Sequence, residues 1–297
     1  MFYCRDTKKQ EDFFMAQFTN QAQLSYNNSV TSSNIAVGEI IEVLSATKTA
    51  VIDTYSQNDN ITYIISIINS GTVPLSGLTI TDNLGSYVFN NNLTLVPLTY
   101  VENSVRYYVG GILQPAPTSQ GGPPLTISGI NVPAGGNAII IYEVSTNNFA
   151  PLASNSNITN EAIISGNNVT PITVTETVTA LNAANLGITK SISPVPVTEN
   201  GQLTYTFYIQ NTGNTAADEQ SNVIVTDTFD PILTNLSVTL NGVVLPATAY
   251  SYDETTGVFA TTSGAITVPA ATYTQDPTDG RILINPGITT LVVTGTV

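Results

Sequence analysis

Histidine is absent from this 297-residue chain, and with it the commonest general base and the commonest metal ligand. One cysteine, Cys4, permits neither an internal disulfide nor a thiolate metal cluster, since each needs partners. Charge is scarce as well: charged residues are 9% of the total, against roughly 25% in an ordinary soluble domain, and the 21 acidic side chains outnumber the 7 basic ones. A net charge of −14 argues against nucleic acid and anionic membrane as partners. Most enzyme classes are thereby disfavoured, and no cofactor or metal is expected; a structural or binding protein leads.

No run of 18 apolar residues occurs, so no transmembrane helix and no membrane insertion are expected. Met1 to Phe14 carries Arg5, Asp6, Lys8, Lys9, Glu11 and Asp12, the wrong composition for the apolar core of a signal peptide, which leaves the export route open. Met15 opens a second plausible start, and residues 1–15 read as a leader or flexible extension. A surface of Asn, Thr, Ser, Gln and Gly, nearly free of Lys and Glu, suits an extracellular appendage of a cell or spore.

What is present is strand signal. Ile61-Thr-Tyr-Ile-Ile-Ser-Ile-Ile68 and Leu203-Thr-Tyr-Thr-Phe-Tyr-Ile209 are β-branched, aromatic and alternating, and each ends in Asn-Ser/Thr-Gly. Asn241-Gly242 and Gly110-Gly111 predict tight hairpins. With 42% hydrophobic residues and no helical periodicity, the chain reads as all-β: two tandem immunoglobulin-like sandwiches.

The two sandwiches are homologous. Ala46-Thr-Lys48-Thr aligns with Ile188-Thr-Lys190-Ser, Tyr63 with Tyr205, Asn69-Ser-Gly71 with Asn211-Thr-Gly213, and Leu78-Thr-Ile-Thr-Asp82 with Val223-Ile-Val-Thr-Asp227. The first copy, 43–181, runs on to Ile158-Thr-Asn160-Glu-Ala-Ile-Ile-Ser165. The second, 186–297, ends before any counterpart of that strand, leaving an open edge. That strand's likeness lies at the other end: Phe18-Thr-Asn20-Gln-Ala-Gln-Leu-Ser25-Tyr-Asn27-Asn28 shares six of eleven positions with the segment from Ile158 to Asn168. Residues 16–42 therefore read as a donor strand and linker, with Phe18, Ala22 and Leu24 as its apolar face. A chain so permuted completes its second domain most simply from another copy of itself, as a head-to-tail homopolymer.

These motifs together resemble the bacterial surface repeat family called "domain of unknown function 11", which is similar to the isopeptide-forming sandwich domains of Gram-positive pilins and adhesins. The resemblance implies a Lys on the first strand attacking the amide of an Asn on the last, assisted by an acid. It assigns Lys48, Asp82 and Asn160 within the first domain, and Lys190 and Asp227 of the second with Asn20 of a neighbouring subunit. Such a bond forms once per site, so the protein is no turnover enzyme. An independent observation agrees: from Met15 onward the only lysines are Lys48 and Lys190, at one homologous position. A buried Lys–Asp ion pair is the plainer reading of the same residues, and a monomeric surface adhesin with a host or surface ligand is the alternative to a fibre. Asp276-Pro-Thr-Asp279-Gly280 lacks the dense carboxylates of a calcium loop and reads as a solvated turn. The added strand material at Ser86–Pro97 reads as a ligand-contacting loop or plain outer surface.

Overall fold

The computed structural model describes residues 15–90, 92–167 and 169–297. Apart from Met15, the leader expected at residues 1–15 lies outside the described residues, as does Cys4. The described chain is β throughout, with two short 3-10 turns and no α-helix. It forms two tandem immunoglobulin-like sandwiches, the second incomplete, as the patterning predicts.

In the first domain, alternation of β-branched and small residues buries one face of each strand. Asn60–Asn69 turns Ile61, Tyr63, Ile65 and Ile67 inward, and Asn137–Thr146 answers with Ala138, Ile140, Tyr142 and Val144. One sheet runs Ile112–Gln114, Arg106–Val109, Asn137–Thr146, Asn60–Asn69, Leu44–Ala50, all antiparallel. The facing sheet runs Thr118–Gln120, Leu125–Val132, Leu75–Asp82, Asn157–Ser165, Ile172–Ala180, Thr54–Tyr55. Its Leu75–Asp82 strand is thus held on both edges, and Ile172–Ala180 packs across the Leu44–Ala50 strand.

The second domain repeats the first sheet: Leu186–Ser193, Gln202–Asn211, Gly287–Thr296, Thr234–Leu240, Val243–Val244. Both predicted hairpins form, at Gly110-Gly111 and Asn241-Gly242, with all four residues at positive φ. The motif asparagines are buried ties. Asn69 donates through Nδ2 to the carbonyls of Val73 and Pro133, and Asn211 to those of Thr215 and Pro269. In each copy the glycine two residues on donates its N–H back to the asparagine Oδ1.

The facing sheet of the second domain is reduced to Thr226–Thr228, Val258–Thr261 and Tyr250–Tyr252, with one bridge, Ala217 to Val268. Thr226–Thr228 pairs on one edge with Val258–Thr261, and among the described residues nothing pairs with its other edge. Beyond that point the first domain has the antiparallel pair Asn157–Ser165 and Ile172–Ala180, and then the short Thr54–Tyr55, so what the second lacks among the described residues is a hairpin and not only its last strand.

The segment expected as donor strand plus linker is itself a hairpin. Met15–Asn20 pairs with Ala36–Ile41 and Gln23–Tyr26 with Ser29–Ser32, around a turn in which Asn27 and Asn28 both have positive φ. Its side chains from Phe18 onward are almost all exposed.

Ser86–Pro97 is not a free outer loop. Its strands Tyr87–Phe89 and Leu93–Leu95 meet the second domain's hairpin Thr272–Gln275, Ile282–Asn285. Gln275 donates to the Tyr87 hydroxyl, the Ile282 N–H to the Asn148 carbonyl, and Tyr273 and Ile284 pack against the first core. Apolar side chains such as Leu95, which is buried, had to be covered, and the neighbouring domain covers them. The Asp276–Gly280 turn caps that second hairpin: Asp276 accepts from Thr278 and Asp279 pairs with Arg281.

Candidate cross-linking sites

Alternation along Leu44–Ala50 turns Leu44, Ala46, Lys48 and Ala50 to the core, so a lysine ammonium enters an otherwise apolar interior. Its Nζ lies 2.6 Å from Asp82 Oδ2 and 3.1 Å from the Asn160 backbone carbonyl, and both side chains of the ion pair are fully buried. The Tyr63 ring sits beneath, its centroid 4.7 Å from Nζ. Burial pushes the Lys48 pKa below the ordinary lysine range, against the opposing pull of Asp82.

Asp82 is saturated. Its Oδ2 also accepts from the Tyr142 hydroxyl, and its Oδ1 takes the Leu84 N–H at 2.8 Å. The Asn160 amide carbonyl is not among its partners. That carbonyl, Oδ1, accepts instead from the Gly85 N–H at 3.2 Å, which also fixes which way the amide faces. Asn160 Nδ2 is buried and makes no hydrogen bond of normal geometry, and neither does the Tyr63 hydroxyl, although the Tyr63 and Tyr142 hydroxyls both lie close enough to the Asn160 side chain to interact with it. Burial raises the pKa of both tyrosines, with Asp82 adding to it, so both hydroxyls keep their protons. Tyr142 and Gly85 escaped the sequence reading because their roles arise from strand pairing and a turn, not from spacing to the lysine.

The arrangement is chemically pointed. An amine whose pKa burial lowers lies beside an amide whose oxygen is held by a donor and whose nitrogen makes no close hydrogen bond. Attack of Nζ on Cγ would make a C–N bond and break the Cγ–Nδ2 bond, with Nδ2 leaving as ammonia with a proton from the lysine. Replacing Tyr142 by Phe strips one donor from the buried Asp82 carboxylate and should cost about 1–3 kcal/mol; urea unfolding of an Asn160→Ala background, which cannot ligate, measures this without interference from a cross-link.

The second site keeps the pair and loses the cover. Lys190 pairs with Asp227 and lies 4.4 Å from the Tyr205 ring centroid, but its side chain is 39% exposed and that of Asp227 19%. The core-facing stripe Leu186, Ile188, Lys190, Ile192 is bare along its whole length, Ile188 at 55%. Val293, opposite Tyr205, stands where the first domain has Tyr142 opposite Tyr63, so no tyrosine there shares the acid. Asn20 is not near Lys190 within one chain in any contact the structure makes; it pairs with Ala36 in the N-terminal hairpin. Phe18, Ala22 and Leu24 are all exposed, and Ala22 falls at a break between the two halves of its strand. Among the described residues no group of three His, Cys, Asp or Glu side chains is placed to hold a metal, and no helix is long and apolar enough to cross a membrane.

The fold and these sites define a class: a tandem β-sandwich protein with a buried Lys–Asp–Asn constellation in one domain and its uncovered counterpart in the other. No protein-family model and no curated protein matches the chain, so the repeat-family resemblance rests on the residues quoted for it. Among solved structures the chain is similar to the D312A form of BcpA, the major pilin subunit of Bacillus cereus, at 10% identity over 91% of this chain and 73% of that one, TM-score 0.37. It is also similar to the major pilin SpaD of Corynebacterium diphtheriae, at 11% identity over 86% and 69%, TM-score 0.34. A type II cohesin dyad from the ScaA scaffoldin of Acetivibrio cellulolyticus matches at 10% over 84% of each chain, TM-score 0.28. Likeness at that level carries no argument about function.

Proposed function

We propose that the protein is a structural subunit of an extracellular, cell- or spore-surface fibre, polymerising head-to-tail by donating its N-terminal segment into the open second domain of the next copy. The observation that carries this reading is the paired lack and surplus: a groove around Lys190 uncovered in the second domain, and at the other end of the chain a segment matching the one that fills the same groove in the first. Lys48 and Asn160 then ligate within a subunit, and Lys190 with Asn20 between subunits, Asp82 and Asp227 assisting. The partner is the protein itself, and the chemistry is single-turnover.

A mass spectrum of a digest should contain a branched peptide joining Asn20 to Lys190, lighter by one ammonia than the sum of its parts. Boiling-resistant oligomers without that peptide would remove the intersubunit bond from the scheme, and a uniform monomer of full mass would remove the fibre.

The depressed Lys48 pKa gives a pH signature. Between its folded value and the unfolded 10.5, the unfolded chain binds the extra proton, so the stability of unligated protein rises with pH across that window and is level, as far as this group goes, below the folded value. The rate of internal ligation after refolding should likewise climb with pH and level off before 10.5, as followed by intact mass. A rate still climbing beyond that value would mean Lys48 titrates as a solvated lysine.

A further inference from the structure

We infer that the element donated between subunits is the whole hairpin of residues 15–41, and that its second strand, Ser29–Ile41, is what seals Lys190. This rests on the head-to-tail reading and names the element that reading requires.

Two observations carry it. In the first domain the groove is filled by two strands with separate tasks: Asn157–Ser165 pairs with the edge of Leu75–Asp82, while Ile172–Ala180 lies across the lysine strand Leu44–Ala50. A single donated strand would complete the edge of Thr226–Thr228 and still leave the stripe Leu186, Ile188, Lys190, Ile192 uncovered. The N-terminal hairpin, in turn, is already folded at its open end in the register of the pair it would replace; nearer its turn, where Leu24 opposes Thr31 and Ile164 opposes Ile172, the two are offset by one residue. Phe18 opposes Gly38 and Asn20 opposes Ala36; Ile158 opposes Val178 and Asn160 opposes Glu176. Every one of these four positions is displaced by the same 140 residues between the two hairpins. Superposing one hairpin's place on the other therefore sets Asn20 beside Lys190 and brings Ala36, Gly38 and Ile40 over the bare stripe. Gly38 is suited to this: a Cβ there would lie 2.3 Å from the Phe18 ring, which covers the position that Val178 fills with its own side chain. Where the first site has Glu176 across from its asparagine, the donated hairpin has Ala36, so the second lysine would be enclosed with one nearby acid in place of several.

The occupant is a second copy of this chain, and the test separates docking from chemistry. Asn20→Ala abolishes the covalent step and leaves the hairpin's shape alone. In the full chain carrying it together with Asn160→Ala, so that Lys48 also stays a free amine, Lys190 is probed with acetic anhydride and read by peptide mass spectrometry, with buried Lys48 as internal reference. Assembly at high concentration should lower Lys190 labelling at least tenfold, to the level of Lys48. Adding Ile40→Asp, at a position exposed in the free chain and facing the stripe when docked, should restore the labelling of dilute monomer. Assembled protein whose Lys190 is protected equally with Ile40→Asp would overturn the second strand's part while leaving head-to-tail assembly standing. Protection that does not depend on concentration would mean the hairpin folds back on its own chain, which overturns the second copy. Failure of the Asn20→Ala chain to assemble at all by light scattering would sink the fibre reading and this inference together.

Discussion

A chain beginning at residue 42 should remain monomeric at concentrations where the intact chain polymerises, with the loss of assembly complete and not partial. The reason is arithmetic in strands: without the N-terminal hairpin there is nothing to pair the free edge of Thr226–Thr228 or to cover Leu186, Ile188 and Ile192. Each of those apolar side chains forgoes about 1.5–3 kcal/mol when left in water. The first domain supplies its own counterpart strands and should melt as in the intact protein. Sedimentation velocity decides the matter: polymers from the truncated chain would mean another surface joins the subunits.

The second large effect concerns the two lysines, which should behave as opposites. Lys48→Ala leaves the Asp82 carboxylate in a dry core with its cation gone, a change costing about 3–5 kcal/mol before any lost cross-link is counted. It should lower the first domain's melting temperature by many degrees. The boiling-resistant ladder should persist, because the bonds between subunits do not involve this site. Lys190→Ala should barely alter the monomer's melting, since its partner is partly solvated. Its fibres should still form, and then fall apart to monomers in hot detergent. A ladder that survives Lys190→Ala would place the intersubunit bond elsewhere.

Much of this was legible in the residues and some was not, for identifiable reasons. Alternation in Asn60–Asn69 and Gln202–Asn211 gives strands because a half-buried sheet needs a period of two. The homologous register of Lys48 and Lys190 was visible because two copies sit in one chain, and the structure puts Lys48 against Asp82 and Asn160 as that register implies. The sequence reads as linker where the structure has the hairpin's second strand. Ser29–Ser32 and Ala36–Ile41 share little with Ile172–Ala180, since a sheet face tolerates many side chains of similar size. The available signal was Asn27-Asn28, a pair that accepts positive φ at both turn positions. The role of Tyr142 and the Gly85 N–H depends on contacts across 60 and 75 residues, which no local pattern encodes.

The clasp between Ser86–Pro97 and the Thr272–Asn285 hairpin has a mechanical consequence. The two domains of one chain are gripped by insertions that each carries for the other. Where the second domain has its hairpin, the first has only the turn Pro133–Gly136, and where the first has Ser86–Pro97, the second has the short run Phe229–Leu233. In a head-to-tail array the subunits would therefore act as stiff struts, and bending would gather at Ile41–Leu44, the few residues that follow each hairpin. Such a thread would yield sideways at every second sandwich while resisting a lengthwise pull, which at each of those pivots would run from the lysine strand straight into the backbone of the next subunit.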